Sequence, residues 1–248
     1  MEAMTPATEN YLKTIYALTA RGEGATTGRL AREMGVSSPS VSAMVKRLQG
    51  AHLVQQTDGR ALRLTDRGEQ AALRVVRRHR LIETFLFTML QVPWDEVDAE
   101  AELLEHALSD RLEDRIDSAL GHPVRDPHGD PIPPRTGYHD DAWGQALDAA
   151  SAGCLFRVDR VSDRDSSALR YLGSVGVLPG VVLEVEEQDP FEGPRWVRVE
   201  GARRALGAPL TRLIHGQIVS DAPAGTPTAR DGVAGSQPPA SAHDGGDR

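Results

Sequence analysis

The chain has 248 residues, 40% of them apolar and 26% charged, with a net charge of −8 and one cysteine. That apolar content allows more than one small core; no apolar run approaches the roughly 20 residues of a membrane helix, and the opening MEAMTPATEN lacks the basic and apolar regions of a signal peptide, so the cytoplasm is the expected compartment. The lone Cys154 excludes an intrachain disulfide framework and any thiolate-rich zinc site, which leaves His and carboxylates as metal donors and favours harder metals. The charge is uneven: residues 1–80 hold 13 Lys/Arg against 7 Asp/Glu, whereas the rest hold 15 against 29. A basic head on an acidic body is the pattern of a nucleic-acid reader joined to a second unit.

The first predicted helix runs from about Thr8 to Ala20, with Tyr11, Leu12, Ile15, Tyr16 and Leu18 at helical spacing and Gly22 and Gly24 after it. Thr26 or Thr27 caps a second helix over about 27–34; Gly35 and Val36 turn the chain, and Pro39 suits the first turn of a third helix over about 38–50. Two short alternating runs, Leu53–Thr57 and Leu62–Thr65, flank Asp58-Gly59 and predict a β-hairpin. Three helices and a hairpin make a winged helix-turn-helix. A long helix is expected from Asp66 to about Leu90, broken by Val92-Pro93, and another from about Trp94 to Leu120, ended by Gly121-His122-Pro123. Residues 126–141 read as an ordered loop. From about 151 to 219, short β-forming runs separated by Gly and Pro predict a small β-barrel-like module, and the Pro/Ala/Gly-rich tail after Asp221 is expected to be disordered.

The second helix of a helix-turn-helix pair enters the major groove. Ser37, Ser38, Pro39, Ser40, Ser42 and Ala43 occupy its leading turns, with Thr27 at the start of the preceding helix. Short hydroxyl and apolar groups there predict reading through phosphates, thymine methyls and DNA shape rather than bidentate Arg–guanine pairs. Lys46, Arg47 and the wing's Arg60 are candidate phosphate partners; ordinary solvated charge is the competing reading. His79 and Glu83 share one helix face, and Asp98, Glu102, Glu105 and His106 form a second stripe. Imidazole with several carboxylates and no thiolate suits Mn²⁺ among the Mn²⁺, Fe²⁺, Co²⁺ and Zn²⁺ series. Taken on spacing alone, acidic faces that merely meet water explain the same pattern.

The runs ENYLKTIY (9–16), RHRLIE (78–83), ELLEHALSD (102–110) and PHGDPIP (127–133) together resemble the diphtheria-toxin-repressor family, which holds the iron-dependent and manganese transport regulators. The likeness runs from about residue 5 to 140, and the C-terminal module is similar to the SH3-like (FeoA-type) domain of longer members. It implies a mainly α fold with small β parts: a winged helix-turn-helix over 1–70, a helical dimerisation and metal-binding domain over 71–140, a linker over 141–150, an SH3-like β-barrel over 151–220, and a tail over 221–248. It also implies a homodimeric repressor of metal-uptake genes, on a palindromic double-stranded DNA operator, with two Mn²⁺ or Fe²⁺ sites per subunit. Carried over by position, Glu102, Glu105 and His106 with Asn10 match one site, and His79, Glu83 and Asp98 match its neighbour. Asp165 is the best match for a ligand from the C-terminal module. Iron-type members have Cys where this chain has Glu102, so manganese is the expected metal; Asn10 departs from the manganese-type Asp, and Asp98 from the iron-type His.

Metal held by both head and body acts as a population shift toward a DNA-matching dimer, and its binding should weaken as pH falls, because His must be neutral and Glu ionised. The 94–120 helix, with Leu103, Leu104, Ala107, Leu108 and Leu112, is the expected dimer face. A metallohydrolase is opposed by the missing HExxH-type motif and general base, and the remaining rival is a metal-independent winged-helix regulator. His122, His128 and His139 fall at uneven spacing in irregular chain and read as structural or solvated.

Overall fold

A computed structural model describes residues 4–57, 61–137 and 139–221. The head is built from α1 (Pro6–Ala20), α2 (Thr27–Glu33), α3 (Ser38–Gly50) and the antiparallel pair β1 (Val54–Gln56) and β2 (Leu62–Leu64). Each helix starts on a hydroxyl cap: Thr5, Thr26 and Ser37 accept from the backbone N–H three residues on, and Pro6 and Pro39 sit where a missing N–H costs nothing. Leu12, Ile15, Leu18, Leu30, Val41 and Leu48 close the core. The Asp58-Gly59 turn and Arg60, and the tail beyond Asp221, lie outside the described residues.

α4 (Asp66–Leu90) serves two cores. Ala72 and Val76 complete the head, while Leu81, Ile82 and Leu86 pack against Val97, Ala101, Leu108, Ile116 and Ile132 of the body. α4 ends at Gln91, whose left-handed φ of 57° turns the chain back. The single helix expected over 94–120 is two: α5 (Val97–Leu104) and α6 (Asp110–Ala119). Ser109 explains the restart, since its side chain accepts from Leu112 N–H as a cap; the apolar period continues through the break and conceals it. Leu108 is buried, whereas Leu103, Leu104 and Leu112 are exposed together with Phe87, Met89, Leu90 and Val124.

The C-terminal unit is a six-stranded antiparallel sheet in the order β3-β8-β4-β5-β6-β7, formed by β3 (Gln145–Ala146), β4 (Cys154–Val161), β5 (Val182–Gln188), β6 (Arg195–Val199), β7 (Ala202–Leu206) and β8 (Ile214–Asp221). α7 (Ser166–Ser174) and the short α8 (Ala208–Thr211) cover it. This sheet begins earlier than the expected boundary of 151: β3 pairs with β8, and Leu147 and Ala150 are buried in the sheet's core, so residues 145–150 belong to it rather than to a linker. Trp94 inserts into the same core and so docks the sheet on the body.

The loop after α6 crosses between body and sheet at Gly129, whose φ is +89° and where a Cβ would lie 2.1 Å from the carbonyl oxygen of Asp159. Gly129→Ala combines a disfavoured φ with a backbone clash and should destabilise the protein by about 2–4 kcal/mol. The urea midpoint measures this, and an unchanged midpoint would show that the loop yields without cost.

Candidate metal centre

α4 projects His79 and Glu83 inward one turn apart, toward the loop 126–130 and the connection between β4 and α7. The His79 Nε2 lies 3.4 Å from Glu83 Oε1 and 3.2 Å from Asp98 Oδ1. His128 is completely buried; its Nε2 bonds the Trp94 carbonyl at 2.7 Å, which aims Nδ1 at Glu83 Oε1, 3.4 Å away. Donor atoms of Glu83, His128 and Asp163 all lie within 4.8 Å of one another. Both Glu83 Oε1 and His128 Nδ1 are buried with no hydrogen-bond partner. Orphaned donors facing each other in this way fit a cation, since unpaired buried polar atoms are costly.

The electrostatics agree. Burial alone would raise the Glu83 carboxyl, but the charge of His79 and the contact with His128 hold it well below the ordinary carboxylate range. Burial works against a charged His128 too, yet contact with Glu83 pushes its pKa up to about 10. Burial, reinforced by the charge of Glu83, pushes Asp126 up to about 8.

His79 joins this cluster to a second one. Its Nδ1 is 2.7 Å from Glu105 Oε2, and Glu105 is fully buried at the end of α5. The break between α5 and α6 turns Glu105 and His106 toward α1. There His106 Nδ1 meets Glu9 Oε2 at 2.6 Å, and its Nε2 lies 3.3 Å from Glu105 Oε1. That Nε2 and Asn10 Oδ1 are also buried without hydrogen-bond partners, and donor atoms of His79, Glu102 and Glu105 lie within 4.8 Å of one another, a set that fits a cation as well. Lys13 of α1 reaches Glu102 and Glu105.

The structure therefore brings His79, Glu83, Asp98, Glu102, Glu105 and His106 together near the junction of α1, α4 and α5, with Asn10 next in sequence to Glu9, the α1 residue that contacts His106. Asp165 is a correction: it caps α7, its carboxylate accepts from Ser167 and Ala168, and it is exposed. Asp163, two residues earlier in the connection between β4 and α7, is the carboxylate that lies beside Glu83 and His128. His128, expected to be structural or solvated, is fully buried beside Glu83 and Asp163. His122 is exposed beside Asp117, and His139 stacks on Tyr16. Sequence reading missed Glu9, Lys13, Asp126 and Asp163; the segment carrying His128 was noticed, but its contact with α4 is tertiary. In the head, Ser37, Ser38, Pro39, Ser40, Ser42, Ala43, Lys46 and Arg47 are all exposed, and Thr27 is half-buried.

A buried ion network braces the loop beside the clusters. The Arg160 guanidinium contacts Asp130 and, at 2.6 Å, Asp141, and stacks 4.0 Å from the Trp143 ring centroid. Arg80 of α4 reaches Asp141 at 3.1 Å, Asp130 at 3.2 Å and the Pro131 carbonyl at 2.5 Å. Beyond them Arg164 pairs with Glu33 of α2, tying the sheet to the head. A cavity of about 360 Å³ opens between these units, lined by Lys13, His79, Glu83, Asp98, Asp163 and Arg164 among others.

A winged helix-turn-helix whose first helix closes a His–carboxylate centre on a helical body is the architecture of a metal-dependent DNA-binding repressor. Comparison with known proteins agrees: residues 3–62 match the iron dependent repressor N-terminal DNA-binding domain, 65–134 its metal binding and dimerisation domain, and 145–217 the FeoA domain. The solved manganese-dependent transcriptional repressor in complex with manganese is 41% identical, with a TM-score of 0.80 over 86% of this chain and 100% of that one. The manganese regulator SloR is 33% identical, with a TM-score of 0.73 over 87% of this chain and all of its own. The iron-dependent repressor IdeR of Mycobacterium tuberculosis is 38% identical over 133 residues, 54% of this chain and 58% of its own length, so the likeness to such curated relatives spans little more than half of them. The chain belongs to the iron-dependent repressor family, whose members are DNA-binding transcriptional repressors and not enzymes.

Arg160→Met should remove a charge from a buried network and leave Asp130 and Asp141 to Arg80 alone, at a cost of about 3–5 kcal/mol. Thermal denaturation reads the loss, and earlier proteolysis within 139–144 would accompany it. A variant as stable as the parent would mean that Arg80 alone compensates both carboxylates.

Proposed function

We propose that this chain is a cytoplasmic, homodimeric, Mn²⁺-responsive repressor with two metal sites per subunit. The observation that carries the reading is the pair of donor clusters joined by His79, with orphaned buried donors in each. The first site is Asn10, Glu102, Glu105 and His106; the second is Glu83, His128 and Asp163, with His79, Asp98 and Asp126 beside it. Oxygen and imidazole donors without thiolate favour Mn²⁺, and Cys154 lies far off in the core of the sheet. Fe²⁺ is the second reading, since the iron-dependent repressor IdeR is among the curated relatives of similar sequence.

Bound divalent metal would supply the positive charge that lets Asn10 from the head and Glu102, Glu105 and His106 from the body share one centre. The chain's residues do the rest. α1 carries Asn10 on the head's inner face, so the angle between α3 and the body depends on whether these donors converge. Leu103, Leu104 and Leu112, with Phe87, Met89 and Leu90, form an exposed apolar face that suits a second copy. Two α3 helices held at a fixed spacing would read the half-sites of a palindromic operator. Ser37, Ser40, Ser42 and Ala43 would meet base edges, and Lys46 and Arg47 the phosphates.

Titration of metal-stripped protein with Mn²⁺, read by DNA-binding anisotropy, tests this. Mn²⁺ should raise DNA affinity by about a hundredfold or more, and His106→Ala or Glu102→Ala should remove most of that gain. Asp163→Ala should lower the Mn²⁺ stoichiometry from two to one per subunit by calorimetry. DNA binding indifferent to Mn²⁺ and anaerobic Fe²⁺ would leave a metal-independent regulator.

A further inference from the structure

The ammonium of Lys13 stands inside the first cluster. Lys13 leaves the same face of α1 as Glu9 and Asn10, one turn on, and its side chain is only 16% exposed. Its Nζ lies 2.5 Å from Glu102 Oε1, 2.9 and 2.8 Å from Glu105 Oε1 and Oε2, and 3.4 Å from His79 Nδ1. One cation thus touches both body carboxylates of the first site. A divalent ion bound to those oxygens and an ammonium at these distances exclude each other by contact and by charge.

We propose that Lys13 is a built-in counter-cation: it fills the Glu102–Glu105 cradle until a divalent metal displaces it, and so sets the metal concentration at which this site loads. The inference rests on the reading of Glu102, Glu105 and His106 as a metal site. Glu105 is fully buried, and a buried carboxylate without a partner is strongly destabilising. Lys13 shares with His79 the task of offsetting that penalty, and its share falls to the metal-free protein alone. Whatever stabilises the metal-free form weakens apparent metal affinity by the same amount. The flexible four-carbon stem gives the displaced head group a way out, because Lys13 also lines the 360 Å³ cavity toward Asp98 and Asp163. The contact also crosses from head to body, so Lys13 and metal hold the same two units together through different atoms.

The test uses full-length, metal-stripped wild type, Lys13→Met, Lys13→Gln and His106→Ala, with Mn²⁺ as the probe at one pH. Calorimetry reads the dissociation constant, and thermal denaturation is run with and without saturating Mn²⁺. Lys13→Met should tighten Mn²⁺ binding at the first site by about tenfold or more, lower Tm without metal, and leave Tm near wild type with metal. Lys13→Gln keeps a donor without the charge and should lie between; it supplies the comparison if the Met variant fails to fold without metal. Unchanged or weaker Mn²⁺ binding in both variants, or an equal loss of Tm with and without metal, overturns the proposal and leaves Lys13 a packing residue. If the wild type binds Mn²⁺ and His106→Ala loses it while the Lys13 variants match wild type, this inference alone fails. If the wild type binds no Mn²⁺, the site reading fails and takes the inference with it.

Discussion

The structure depends on keeping a concentration of buried carboxylate compensated at the junction of its three units. Glu83, Glu105, Asp126, Asp130 and Asp141 are all buried within reach of α4, far from the water that would normally solvate them. Cations from four elements stand against them: Lys13 from α1, His79 and Arg80 from α4, His128 from the loop and Arg160 from β4, with Asp126 at 3.8 Å from Arg80. Removing any one of these elements leaves charge unpaired in the interior. Head, body and sheet are therefore held together by ion pairs as well as by the apolar contacts that α4 and Trp94 make across them.

α4 turns that local chemistry into a relation between units. Its first turns belong to the head's core and its later turns to the body's, so the helix itself is a fixed beam. α1 and the end of α5 meet across the junction through the Glu9–His106 contact and the contacts of Lys13 with Glu102 and Glu105. The connection from β4 to α7 adds a third party. Asp163 faces the second cluster while the adjacent Arg164 pairs with Glu33 at the end of α2, just ahead of the recognition helix. The contact with the second cluster and the contact with the helix-turn-helix are thus made by neighbouring residues.

The contrast between α4 and the segment after it shows which parts of the fold were legible. α4 was readable to its ends because Thr65 caps it, its apolar period is regular, and Val92-Pro93 stops it. The split between α5 and α6 was not, since Leu103, Leu104, Leu108, Leu112 and Ile116 continue a helical period across a break made by the chain's need to turn Glu105 and His106 inward. β3 was hidden for a related reason: a strand of two residues has no pattern of its own and exists only because β8 lies beside it. Among the candidate ligands, His79 with Glu83 and the run Glu102–His106 could be proposed from helical spacing and family resemblance together. Asp165 was preferred over Asp163 because register across a β-to-α connection cannot be counted from sequence.

By itself the sequence determined the winged helix-turn-helix, the long shared helix and the oxygen-and-imidazole character of the donors, because caps, periodicity and residue chemistry are local properties. Tertiary structure decided what depends on distance between segments far apart in the chain. It brought His128 and Asp163 to Glu83, set His79 between two clusters, and put the ammonium of Lys13 against Glu102 and Glu105. Lys13 is 89 residues from Glu102 along the chain, and no local rule pairs them. They meet because α1 and α5 both pack on α4, where buried charge has to find its opposite.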